Sequence, residues 1–253
     1  VRSPNWTKKE LLLAIKLYTE LPFGKLHGRN PEIIALAKLL GRTPGSVGMK
    51  LGNLASLDES ILQKGLGNAS ELDEEMWKTY LSDREGFIYE AAKLLARYRR
   101  LTVERLYDIP EDELPKKGIE RERIVMTRVN QSAFRSGILA SYDNRCAITG
   151  IDRPELLIAS HIVPWSEDNE NRLNLRNGLC LNALHDRAFN AGLITVTPHF
   201  IVRVSKVLIR KPSKAVAEYI LSRVVRRSPF QESSCRKRSF WSTTTMLCFK
   251  AEL

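Results

Sequence analysis

Between Glu155 and Ile194 the chain passes through an apolar run, a polar loop, a second apolar run and a helical stretch, all in a short span. "ELLIASHIV" is extended in character and is stopped at Pro164, because proline has no N–H to give to a ladder. "EDNENRLNLRNG" is a loop crowded with asparagine. "GLCLNALHDRAFNAG" begins extended and becomes helical. The order predicts a hairpin with a helix packed on it, and "LITVTPHFIVRVS" predicts a further strand or hairpin.

The first apolar run ends on a histidine. The chain has only four: His27, His161, His185 and His199. Asn177 stands sixteen residues after His161, and His185 eight after that. Strand–loop–strand–helix would gather these three around one cavity. His27 and His199 have no such company and are expected to be structural or on the surface.

These pieces resemble the HNH, or ββα-metal, nuclease motif. "SHIVPW", "NRLNLRNGLCLN" and "LHDRAFNAGLI" carry the likeness, and "NQSAFRSGILASYDNRCAITG" is similar to the lead-in of bacterial restriction-type HNH endonucleases. The likeness covers about residues 128–208. It implies hydrolysis of phosphodiester bonds in DNA with a divalent metal ion, Mg²⁺ expected and Mn²⁺ or Zn²⁺ as alternatives. A histidine near its ordinary pKa of about 6.5 can be a neutral base at pH 7, which suits His161 to deprotonate water. His185, on the helix, can bind the cation through a ring nitrogen. By the resemblance, Asn177 bonds backbone across the loop and fixes His161. Two departures weaken the metal site. Ser160 stands where many relatives carry Asp or His, and Asn190 where they often carry Asp. Asn182, about one helical turn before His185, is a further candidate ligand.

The N-terminal part predicts three helices, and with the hairpin it gives an α+β chain. "TKKELLLAIKLYTEL" opens with a capping box, Thr7 and Glu10. "NPEIIALAKLLG" has Asn30 as cap, Pro31 in the first position and Gly41 as stop. "TPGSVGMKLGNLAS" repeats the device with Thr43 and Pro44. Only Gly41, Arg42 and Thr43 separate the second and third helices, the turn length of a helix-turn-helix. On the third, Val47, Leu51 and Leu54 share one face; Ser46, Lys50 and Asn53 lie opposite among Gly45, Gly48 and Gly52. Short polar residues on a slim helix suit a DNA groove. The segment is similar to Myb/SANT-like and helix-turn-helix folds at the level of the fold.

The expected organisation is a trihelical module at 1–60, a helical connector with a charged linker at 61–127, the nuclease domain at 128–208, and a helix with an atypical tail at 209–253. "EEMWKTYLSDREGFIYEAAKLLARYRRL" predicts one or two amphipathic helices, and "YDIPEDELPKKGIERERI" an exposed linker. The tail lacks periodicity, and a shifted reading frame is one explanation. Net charge is +11, which favours a polyanionic partner. Arg121, Arg123, Arg128 and Arg135 are candidate phosphate contacts. No C-x-x-C pair is present among Cys146, Cys180, Cys235 and Cys248, which speaks against a zinc knuckle; Cys146 and Cys180 read as small buried hydrophobes. No apolar run reaches membrane-spanning length, and "VRSPNWTKKE" lacks a signal peptide's apolar stretch. A cytoplasmic protein is expected.

Three functions follow as expectations. The first is a restriction-type DNA endonuclease, with a homodimer where both strands are to be cut. The second is a DNA-binding protein with a degenerate nuclease domain. The third is a mobile-element homing or nicking enzyme.

Overall fold

A computed structural model describes residues 5–59, 61, 65–197 and 201–222. The described residues divide into two compact units, the first running to Gly137 and the second from Ile138.

The first unit is helical. Its opening helices are α1 (Lys8–Glu20), α2 (Pro31–Leu40) and α3 (Pro44–Leu57). Each begins at the expected cap. Thr7 and Glu10 close a reciprocal capping box, Asn30 accepts from the Glu32 N–H, and Thr43 accepts from the Ser46 N–H. Gly41 ends α2 in the left-handed region at φ 64°, where a Cβ would be strained. Leu11, Ala14 and Ile15 of α1 meet Ile33 of α2 and Val47, Leu51 and Leu54 of α3 in a core sealed from solvent.

The amphipathic stretch after it forms two helices, α4 (Glu71–Ser82) and α5 (Arg84–Arg99). Asp83 ends the one and caps the other, accepting from the Gly86 N–H. Tyr18, Trp77, Tyr80 and Phe87 form a continuous run of ring contacts, with centroids 5.5, 5.3 and 5.5 Å apart. Edge-on and tilted pairs of this kind add to the burial of the rings themselves.

The polar side of α3 departs from the sequence reading. Lys50 is buried, and its ammonium meets both carboxylate oxygens of Asp73 at 2.7 and 2.9 Å. Trp6 lies across it, 5.4 Å from Nζ to the ring centroid. Ser46 and Asn53 are half-buried. The glycines serve close approach: a Cβ on Gly48 would come within 3.2 Å of the Gly28 nitrogen, and one on Gly52 within 2.9 Å of Leu66. The face is therefore covered at Gly48, Lys50 and Gly52 by the chain's own residues and open at Gly45, and Lys50 is a core ion pair and not an exposed group free to meet DNA.

The stretch read as an exposed linker is pinned in place. α6 (Val103–Leu106) precedes it, and Ile109 and Leu114 are buried. Arg121 holds Glu104 at 2.8 Å and the Pro115 carbonyl at 3.2 Å. α7 (Ile119–Ser141) begins inside this stretch and runs without a break through 127 and 128. Arg128 is exposed on it, and Arg135 is half-buried.

The second unit carries two hairpins. After α7, Cys146–Gly150 forms a turn closed by the Gly150 N–H to the Cys146 carbonyl at 2.8 Å. β1 (Leu157–His161) pairs antiparallel with β2 (Gly178–Asn182), and α8 (Ala183–Asn190) follows β2 directly and packs on the hairpin. β3 (Ile194–Val196) and β4 (Val202–Val204) make the second hairpin. The core here is Cys146, Leu157, Leu179, Cys180, Leu181, Phe189, Ile194 and Val196; both described cysteines are free thiols, and Cys146 Sγ accepts from the Asn182 N–H at 3.2 Å. Two short helical segments, α9 (Lys206–Arg210) and Lys214–Leu221, complete the described chain. His199 and the tail beyond residue 222 lie outside the described residues. Among the described residues no helix is long and apolar enough to cross a membrane.

Candidate active site

The register of the β1–β2 hairpin sets His161 opposite Gly178. Paired residues of an antiparallel ladder share a face, so no cross-strand side chain covers the imidazole. The chain must then leave the sheet, and Asn177 grips it there. The Asn177 carbonyl accepts from the Ile162 N–H at 3.0 Å. Its side chain accepts from the Val163 N–H at 2.8 Å and donates to the Val163 carbonyl at 3.2 Å. Asn177 is itself buried. The two residues after His161 are thus clamped from one side chain and one peptide unit, and Pro164 follows as the turn outward.

The polar loop between the strands is a relay of short asparagine and aspartate bonds. Asp168 accepts from the Asn171 backbone and amide, Asn171 from the Asn174 amide, and Asn174 from the Arg176 N–H. Side chains that bond backbone a few residues on stabilise irregular chain in place of a ladder. The loop delivers the Arg172 carbonyl to His161 Nε2 at 3.0 Å. A carbonyl only accepts, so Nε2 carries the proton and the basic lone pair is on Nδ1. Burial pushes the His161 pKa down, and the Arg172 carbonyl, which favours the charged ring, offsets only part of that. The ring is a neutral base at pH 7.

His185 sits in the first turn of α8 and is almost wholly buried. Asn182 caps that helix, and its Oδ1 accepts from both the His185 N–H at 2.9 Å and the ring Nδ1 at 3.0 Å. Its amide donates to Thr149 Oγ1 at 3.1 Å. This corrects the expectation for Asn182. With both lone pairs of its oxygen used, it orients His185 instead of serving as a ligand. The Nδ1–H···Oδ1 bond leaves the lone pair on His185 Nε2, and that atom is buried without a hydrogen-bond partner. Burial also lowers the His185 pKa. An oriented neutral imidazole with its second nitrogen held by an oxygen is the usual form of a metal-binding histidine.

Ser160 Oγ is likewise buried and unpartnered. Neighbours on a strand point to opposite faces, so Ser160 and His161 do not share one. Asn190 is exposed and donates to Asp186. Among the described residues no three His, Cys, Asp or Glu side chains gather as a ligand set. The buried donors without a hydrogen-bond partner here are the His185 Nε2 nitrogen and the Ser160 hydroxyl.

Two protonation-linked expectations follow. Both histidines have folded pKa values below the unfolded 6.5, so the unfolded chain binds more protons as pH falls. Their share of stability is full above pH 6.5 and is lost as pH drops from there through the folded values. Urea midpoints should fall between pH 7 and pH 5, and by less in His185→Asn; an equal fall in both would contradict the assignment.

Residues 146–197 match the HNH endonuclease family. No curated protein matches the chain. The match begins at Cys146 and encloses the whole hairpin, Asn177, α8 and the first strand of the second hairpin, so the likeness to HNH endonucleases rests on this segment of the chain.

Proposed function

We propose that the protein is a metal-dependent DNA endonuclease in which His161 is the general base. The observation that carries this reading is the state of that imidazole: neutral at pH 7, with the tautomer fixed by the Arg172 carbonyl and the backbone after it clamped by Asn177. Nδ1 of His161 takes a proton from water as that oxygen bonds to phosphorus; the bond from phosphorus to the 3′-oxygen breaks, the leaving oxygen takes a proton from solvent, and His161 later returns its own proton to solvent. Asn177 and the loop relay hold the ring while this occurs, which is the part of catalysis that comes from positioning. His185 Nε2 would hold a divalent cation, which when bound supplies charge stabilisation at the leaving 3′-oxygen. Asn182 keeps His185 in the tautomer that permits this. Arg128, exposed on α7, is a phosphate contact of the kind that makes binding salt-dependent.

Plasmid cleavage with Mg²⁺ or Mn²⁺, wild type beside His161→Ala, tests the reading; cutting that persists unchanged in the variant would exclude His161 as base. His185→Ala should shift the metal concentration for half-maximal cutting upward. An unmoved midpoint would show that another group holds the ion.

A second reading is a DNA-binding protein whose nuclease centre is degenerate. That no three His, Cys, Asp or Glu side chains among the described residues gather as a ligand set favours it. Calorimetric titration with Mn²⁺ separates the two, since a degenerate centre takes up no ion. A restriction or defence role is the biological setting proposed for the active form, on the strength of the bacterial-type lead-in before Cys146.

A further inference from the structure

Trp165 and Arg172 close a circuit of contacts on His161. The His161 ring meets the Trp165 indole edge-on, centroids 5.4 Å apart and planes at 90°. Arg172 Nε donates to the Trp165 carbonyl at 2.9 Å, and its Cζ lies 5.2 Å from the indole centroid. The Arg172 carbonyl takes the His161 Nε2–H. One residue therefore anchors the base through its backbone and lays its side chain on the indole that the base touches.

An arginine seated this way has given up much of its rotamer freedom before any ligand arrives, so binding costs less. Its planar fork of N–H donors matches phosphate oxygens. Ser160, Asn182 and Asn190 are uncharged side chains and offer a phosphate no positive charge. A phosphodiester under attack gains negative charge and needs a preorganised partner.

We infer that the Arg172 guanidinium, seated on Trp165, binds a non-bridging oxygen of the phosphate attacked beside His161, with Trp165 as the positioning residue that keeps it there. The inference rests on the nuclease reading for the identity of that phosphate, and binding data can test it separately.

The full chain carrying His161→Ala is titrated against a fluorescent DNA duplex over a salt series. Adding Arg172→Gln should reduce the slope of log K against log salt by about 0.9, the loss of one phosphate contact. In the chain with His161 intact, Arg172→Gln should lower kcat/KM by roughly ten- to a hundredfold, the scale of one charge-assisted hydrogen bond. The acidic limb of its pH profile should stay in place, because the anchoring carbonyl is backbone and survives the substitution. Arg172→Lys should recover part of the loss, since it restores charge without the fork. Trp165→Leu should match Arg172→Gln, and the two together should cost little more than either.

An unchanged salt slope with a displaced acidic limb would make Arg172 a brace for His161 only, and would overturn the inference. An unchanged slope with unchanged kcat/KM would do the same. If the wild type binds DNA without cutting it, the nuclease reading fails while the salt slope still decides for or against Arg172. A wild type that does not bind DNA sinks both.

Discussion

His161→Ala is expected to lower the cleavage rate by about 10²–10⁴-fold, the usual contribution of a positioned general base, with DNA affinity retained. The size follows from what alanine leaves behind. The hairpin ladder persists, because His161 pairs with Gly178 through backbone groups. The Asn177 clamp on Ile162 and Val163 also persists, since it touches neither imidazole nitrogen. The Nδ1 lone pair, the Nε2–H bond to the Arg172 carbonyl and the ring packing on Trp165 are lost, while the hairpin ladder and the Asn177 clamp hold the fold. In the wild type the rate should climb as pH rises through a value below 6.5 and be level by pH 7, because burial sets the folded pKa low. The alanine variant should lack that limb. Single-turnover rates on a short duplex, with affinity measured in parallel, check this. A fall in affinity equal to the fall in rate would make His161 a binding residue and not a base.

What the sequence disclosed and what it concealed divide along the range of the interactions. Caps are local, and so Thr7, Asn30 and Thr43 mark the starts of α1, α2 and α3 at the residue. The hairpin and its helix were legible for a similar reason: a proline after His161 and a change of period after Asn182 are written within a few residues. Asn182 carried its own signal too. An asparagine just before a helical run is a cap, and that rule favours capping over ligation at this position. The partners of Lys50 were not legible. Its polar face on α3 is real, but Asp73, Trp6 and the residues around Gly28 and Leu66 that cover it come from elsewhere in the chain. Periodicity says which residues share a face and not what lies against it. The same limit hid Arg172, whose carbonyl reaches His161 only because the asparagine relay folds the loop back.

That concealed pair yields the largest stability effect expected here. Lys50→Ala should lower the stability of the helical unit by about 3–5 kcal/mol, the cost of leaving a buried charge without its partner. Asp73 is fully buried, and its carboxylate takes both close contacts from the Lys50 ammonium while also accepting from the Ser70 N–H in the α4 capping box. Lys50→Met, which keeps the volume, should be almost as harmful, because the loss is electrostatic and not a cavity. Lys50→Met combined with Asp73→Asn should cost less than the sum of the two, since a neutral amide no longer needs the ammonium and can still accept from Ser70. Urea unfolding with midpoint and slope for each of the four chains measures the coupling. Were Lys50 the exposed DNA contact that its helical position suggests, Lys50→Met would leave the midpoint unmoved and weaken DNA binding instead. The buried pair requires the reverse: a large fall in midpoint, and unaltered DNA affinity under conditions where the variant is folded.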